Sequence, residues 1–205
     1  MSKTDLDKKI KTFEPYYKAA LIKAGAKDID PLLVSYRNRL KDMYNSKAFE
    51  SHNIYPSMDV YFIYAVIAMC LELKYAGYED KEIITLIEYG QSSRWKTFVK
   101  ILKGIDRFPF AFAIAKLWNI NDHKDRVRDG SITYDYFNVD KDRISYSISK
   151  CQYAEMFSYY GIRPMCKIFC NTDLIAYSGL TRHVSFNRKE DLSDGMSCTD
   201  EILKI

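Results

Sequence analysis

Four of the five cysteines (Cys151, Cys166, Cys170 and Cys198) fall in the last 55 residues of a 205-residue chain, and three of them have telling neighbours. Cys151 and Glu155 are four apart on an expected helix, so they share one face. Cys170 and Asp173 are three apart at the exit of the next expected helix, and Cys198 follows a Gly195-Met196-Ser197 turn. A thiolate is a strong nucleophile once a cation or a helix N-terminus stabilises it. Cys151, at the start of its helix, is placed to feel that dipole. A carboxylate such as Glu155 or Asp173 can deprotonate or position water, and Arg188 can pair bidentately with a substrate carboxylate. Three thiolates and one carboxylate would also make an acceptable zinc set. Eighteen residues separate Cys151 from Cys170 and twenty-seven separate Cys170 from Cys198, so the paired CxxC knuckle is missing. No cofactor is therefore expected, with zinc as the alternative. Cys70 sits in an apolar run and reads as core, and Cys166 reads as packing. Taken without its neighbours, Arg188 in NRKED reads as a solvated charge.

The elements that must position these residues follow from the hydrophobic period. The first half reads as helix. A segment over 12–24 contains Pro15 in its first turn and stops at Gly25, and a second follows Asp30-Pro31 with Leu33, Tyr36, Leu40, Met43 and Tyr44 on one face. A core helix capped at Ser57 runs to about Gly77, and a further helix covers 79–103. A shorter apolar helix enters through Pro109, and the polar stretch 119–130 reads as a boundary loop. Beyond Gly130 the composition turns to Ile, Tyr and Thr, and ITYDYFNVD and RISYSISK around Asp140-Lys141-Asp142 predict a β-hairpin. Two short helices follow, and 174–177, 183–188 and the stretch after Cys198 are candidate strands. The expected class is α+β: an N-terminal helical half packed on a smaller C-terminal antiparallel sheet with two short helices. The division falls at 1–130 and 131–205, within what reads as one compact domain.

Composition narrows the partners. The formal charge is +4, and residues 1–50 account for all of it with 11 Lys+Arg against 7 Asp+Glu. The remaining residues hold 20 of each, so no basic element points to nucleic acid. The longest uncharged apolar run, Val60 to Leu71, is short of the ~20 residues a membrane helix needs. The opening MSKTDLDKKIKTF lacks an apolar signal core, so a cytoplasmic protein with reduced thiols is expected. Seventeen tyrosines are spread over many elements and read as packing residues. No Ser-His-Asp pattern, P-loop, GxGxxG or HExxH motif occurs.

The run from Phe137-x-Val139 through SISKCQYAEMFSYYGIRPMCKIFCNTD to FNRKEDLSDGMSC resembles the L-2-amino-thiazoline-4-carboxylic acid hydrolase family. The matching pieces are Cys151, Tyr153, Ala154 and Glu155, then Gly161, then Cys170 and Asp173, and finally Arg188, Leu192, Gly195 and Cys198. One departure stands out. Family members usually end the motif with Cys-Asp-Phe, whereas here Thr199 separates Cys198 from Asp200, and a one-residue shift in a strand turns a side chain to the other face. The resemblance implies hydrolytic opening of a cyclic isothiourea to N-carbamoyl-cysteine, in a cysteine-forming pathway. The expected catalytic residues are then Cys170, Asp173, Cys151, Glu155 and Cys198, with Arg188, Tyr153 and His183 contacting a small-molecule substrate. Cys170 is the favoured nucleophile because Asp173 lies one turn away. A homo-oligomer is compatible with the sequence. The alternative from another class is a non-enzymatic thiol module sensing a metal, redox state or small ligand.

Overall fold

The computed structural model describes residues 3–205; Met1-Ser2, which open the expected helical region, lie outside the described residues. The chain is α+β, with helices in its N-terminal half and a four-stranded antiparallel sheet near the C-terminus. It divides into two compact units, Met1–Ser92 and Ser93–Ile205.

The first unit contains α1 (Lys3–Lys23), α2 (Ile29–Tyr44), α3 (Lys47–His52), α4 (Val60–Tyr75) and the first half of α5 (Asp80–Ile105). Twelve of the sixteen α4 residues are buried, as a helix apolar on every face requires. Asp59, rather than Ser57, caps it by accepting the Phe62 N–H. Helix α1 starts nine residues before position 12 and carries Pro15 in its interior. Leu6, Ile10, Phe13 and Tyr17 form one buried helical stripe through that position. Burial of the stripe outweighs a proline cost of about 3 kcal/mol.

The second unit contains the rest of α5, then α6 (Ala111–Asp129), β1 (Ile132–Val139), β2 (Arg143–Cys151), α7 (Gln152–Tyr159), a 3-10 turn at Arg163–Cys166, α8 (Lys167–Tyr177), β3 (Val184–Glu190) and β4 (Cys198–Lys204). The predicted hairpin is β1–β2. The stretch 119–130 is not a loop but the second half of α6, which ends at Gly130 with a positive φ of 74°. Its charges sit at helical spacing, with Arg126 bonding Asp122 one turn earlier. Residues 174–177 are the last turn of α8 rather than a strand. Four apolar residues cannot separate the two periods, and the 3-10 turn feeds straight into a helix that carries through them.

The sheet order is β1-β2-β4-β3, every pair antiparallel. Register aligns Phe137 with Tyr146, Tyr146 with Asp200, and Asp200 with Arg188, one row across all four strands. The neighbouring row pairs Ile148 with Cys198. Because side chains alternate faces, these residues share one surface of the sheet.

Candidate functional site

That sheet surface forms one wall of a cavity of about 300 Å³ in the second unit; α8, α7, the 3-10 turn, α6 and the end of α5 supply the others. The volume lies at the small end of ligand pockets, which run from ~300 to 1,000 Å³. Aromatic faces line much of it, among them Trp118 stacked on Tyr177 and Tyr153 packed on Phe169.

Cys151, Cys170 and Cys198 all reach the cavity, together with Asp173, Tyr153 and Arg188. Cys166 is there too, four residues before Cys170 on the same turn of chain. Its hydrogen bond to the Cys170 side chain, and then its burial, push its thiol well above the usual range. Burial pushes Cys151 up to about 11, and the amides of Ala154 and Tyr153 at the start of α7 only partly offset this. The helix-start effect expected for Cys151 is thus the weaker force. Cys198 is raised by burial first and by Asp200 second; the two side chains are 3.9 Å apart.

Arg188 is the hub of the acidic wall. Its side chain is 8% exposed. Nε and Nη2 donate to the two Asp200 oxygens, both at 2.7 Å, Nη2 also donates to Asp173 at 2.8 Å, and Nη1 donates to the Cys170 carbonyl. These four bonds occupy most of the five donors a guanidinium has. Arg188 is therefore no solvated charge, and its capacity is spent on the protein. Asp200 is fully buried on the same sheet face as Cys198, because two residues along a strand restore the face that one would reverse. Asp173 keeps 46% of its side chain accessible. It lines the cavity, and enough protein surrounds the carboxyl for burial to be the largest influence on its titration. Its pKa is raised by burial, against the opposing pull of Arg188 and with help from Asp200.

Two expected residues lie elsewhere. Glu155 is exposed on α7, and His183 is absent from the cavity lining. The backbone N–H groups of Arg182 and His183 instead donate to the buried Asp106 carboxylate, at 2.8 and 3.2 Å.

The segment between β3 and β4 is fastened to the 3-10 turn and α8. Arg163 donates to the carbonyls of Leu192 and Gly195 at 2.8 and 2.9 Å. Lys167 donates to Asp191 at 2.6 Å, and Ser193 adds its amide and hydroxyl. Burial would raise the Asp191 pKa, but Lys167 and Ser193 together hold it below the usual range. A Cβ on Gly195 would stand 2.8 Å from the Asp191 carbonyl, so this tight turn accepts only glycine without moving.

The opposite wall went unread in the sequence. On α6, Asn119, Asp122 and Arg126 line the cavity at intervals of three and four, the helical spacing within NINDHKDR that would have revealed them. Asn119 donates to the Tyr177 hydroxyl at 2.7 Å. The Arg126 guanidinium lies over the Tyr153 ring, 5.7 Å from its centre. Cys166 was likewise detectable, from its spacing of four to Cys170. Among the described residues, no group of three or more His, Cys, Asp or Glu side chains is arranged to hold a metal ion. No helix among them is long and apolar enough to cross a membrane.

The cavity of the second unit thus gathers thiols, carboxylates and arginines among aromatic side chains. The family model described as L-2-amino-thiazoline-4-carboxylic acid hydrolase matches residues 59–200, and the chain belongs to that family. No curated protein and no solved structure matches it.

Proposed function

We propose that the protein is a hydrolase that opens a small cyclic, amidine-like, carboxylated substrate of the 2-amino-thiazoline-4-carboxylate type. The observation carrying this reading is that Cys170 and Asp173, three apart on α8, both line a cavity of about 300 Å³, in a chain of this family. The ring carbon between sulfur and two nitrogens is electrophilic. The Cys170 thiolate attacks it, the C=N electron pair moves to the ring nitrogen, and Asp173 supplies the proton. Collapse breaks the carbon–sulfur bond of the ring, releases the substrate's own thiolate and leaves an isothiourea on Cys170. Asp173, now ionised, takes a proton from water as the water adds to that carbon. The bond to Cys170 then breaks as the added hydroxyl becomes the carbonyl, its proton passes to the substrate's released thiolate, and the N-carbamoyl product leaves with the Cys170 thiolate restored. Net change is the addition of one water. A carboxyl with a raised pKa suits both roles, acid first and base second. Cys166, held protonated, hydrogen-bonds the Cys170 sulfur, while Arg188 fixes Asp173 and the Cys170 carbonyl relative to each other.

Incubation of the purified protein with 2-amino-thiazoline-4-carboxylate and related rings, followed by mass spectrometry, tests this. The expected product is heavier than the substrate by one water. No turnover across the panel overturns the substrate assignment. Full turnover by Cys170→Ser removes that residue from the mechanism.

A further inference from the structure

Two arginines reach the cavity, and their surroundings differ in kind. Arg188 is bound by two carboxylates and a carbonyl, so a substrate anion would have to compete with groups already in place. Arg126 makes one ion pair, Nε to Asp122 at 3.2 Å, where Asp122 is 45% exposed, and it also hydrogen-bonds the Tyr153 side chain. The Arg126 side chain is only 15% exposed, and its Nη1 is buried with no hydrogen-bond partner among the described residues. A buried guanidinium N–H without an acceptor is costly, and native proteins rarely leave one unless a water, ligand or ion satisfies it. Here the unsatisfied donor lies on a residue of the cavity wall, and its guanidinium is held over the Tyr153 ring. A rigid fork with an open donor is what recognition of a planar carboxylate requires. Aromatic faces next to it, Tyr153 and Tyr134 among them, suit a flat ring attached to that carboxylate.

We infer that Arg126 is the specificity-determining anchor for the carboxylate of the substrate, placing the ring against the aromatic wall with its reactive carbon toward Cys170. The ring's identity rests on the hydrolase reading above; the anion-binding role of Arg126 does not. Asp122 aligns the guanidinium through Nε and leaves Nη1 to the ligand.

The test is calorimetric titration of the full chain with 2-aminothiazole-4-carboxylate, an aromatic ring with no reactive C=N to open, and with its neutral carboxamide. Wild type binds the carboxylate and discriminates against the carboxamide. Arg126→Met weakens carboxylate binding about 10- to 100-fold, the loss of a charge-assisted hydrogen bond. Arg126→Lys keeps part of the affinity, which separates lost charge from lost folding; circular dichroism and melting of both variants check the fold. With a turned-over substrate, the Arg126→Lys change falls mainly on KM. Equal binding by wild type and Arg126→Met, or no binding of any carboxylated ring by wild type, overturns the inference. Arg126-dependent binding without turnover would leave the inference standing and remove the hydrolase reading; turnover with an Arg126-independent KM would do the reverse.

Discussion

Both units bury polar atoms without partners, but among the described residues only the second places one of them on a cavity wall. In the first, the hydroxyls of Tyr17 and Tyr36 are buried without a hydrogen-bond partner among the described residues, their rings 5.0 Å apart within a packed helical core. In the second, His123 Nδ1 is likewise buried without a partner among the described residues, in a ring that stacks on Phe137 and does not itself line the cavity, whereas the unsatisfied Nη1 of Arg126 belongs to a residue on the cavity wall. A hydroxyl in a close-packed core has no room for a partner, so it is a tolerated cost of using tyrosine as filler. A guanidinium beside empty space can acquire one. Charge follows the same division. The first unit buries Glu72, which Arg39 pairs, among the otherwise apolar buried residues of helix α4. The second ties two carboxylates and a carbonyl to Arg188, an arrangement no core needs. What distinguishes a site from a core is the presence of both unmet polar demand and space to meet it.

The contrast can be broken most easily at Arg188. Arg188→Met leaves Asp173 and Asp200 crowded without a counter-charge, so denaturant unfolding should show a loss of about 3–5 kcal/mol. A loss below about 1 kcal/mol would mean that the hub is ornamental to the second unit.

A smaller effect is expected where the loop between β3 and β4 is fastened. Asp191→Asn should cost about 2 kcal/mol at neutral pH, because three donors lose a charged acceptor. The folded-state pKa of Asp191 lies below its unfolded value, so its contribution is present above the ordinary carboxylate range and fades as pH falls through the lower, folded value. The melting difference between wild type and variant should therefore persist at pH 6–8 and close only below about pH 4. A gap that widened on acidification would contradict the assignment.

The least effect belongs to the first unit. Tyr36→Phe removes a hydroxyl that bonds to nothing among the described residues, so stability should stay within about 0.5 kcal/mol or rise slightly. A loss above about 1 kcal/mol would show that the hydroxyl has a partner and would erase the contrast with Arg126.

Much of the fold was legible because local pattern and tertiary role agree. The β1–β2 hairpin has strand composition around a charged turn, and the α2 stripe buries the five residues its period names. Cys170 and Asp173 were legible as a pair because three residues on a helix is itself a geometric statement. What escaped reading depends on partners distant in sequence. Arg188 lies in a charged run and looks solvated, yet its partners are 12, 15 and 18 residues away. Asp200 looked misplaced by one position, although its face is set by register with Tyr146 and Arg188. Asn119, Asp122 and Arg126 were hidden by polarity: a helix face turned toward a polar cavity has the composition of a loop. Helix α1 runs through Pro15 because a buried stripe outweighs a local penalty.

The claim that Cys170 is the nucleophile of a ring-opening reaction has one direct measurement. Wild-type protein is mixed with 2-amino-thiazoline-4-carboxylate, quenched in acid during turnover, and analysed by intact mass and peptide mapping. Because ring opening on the thiol loses no atoms, the protein should gain the mass of the whole substrate on the peptide containing Cys170, and Cys170→Ser should gain none. Product formation with no adduct and undiminished turnover by Cys170→Ser would contradict it.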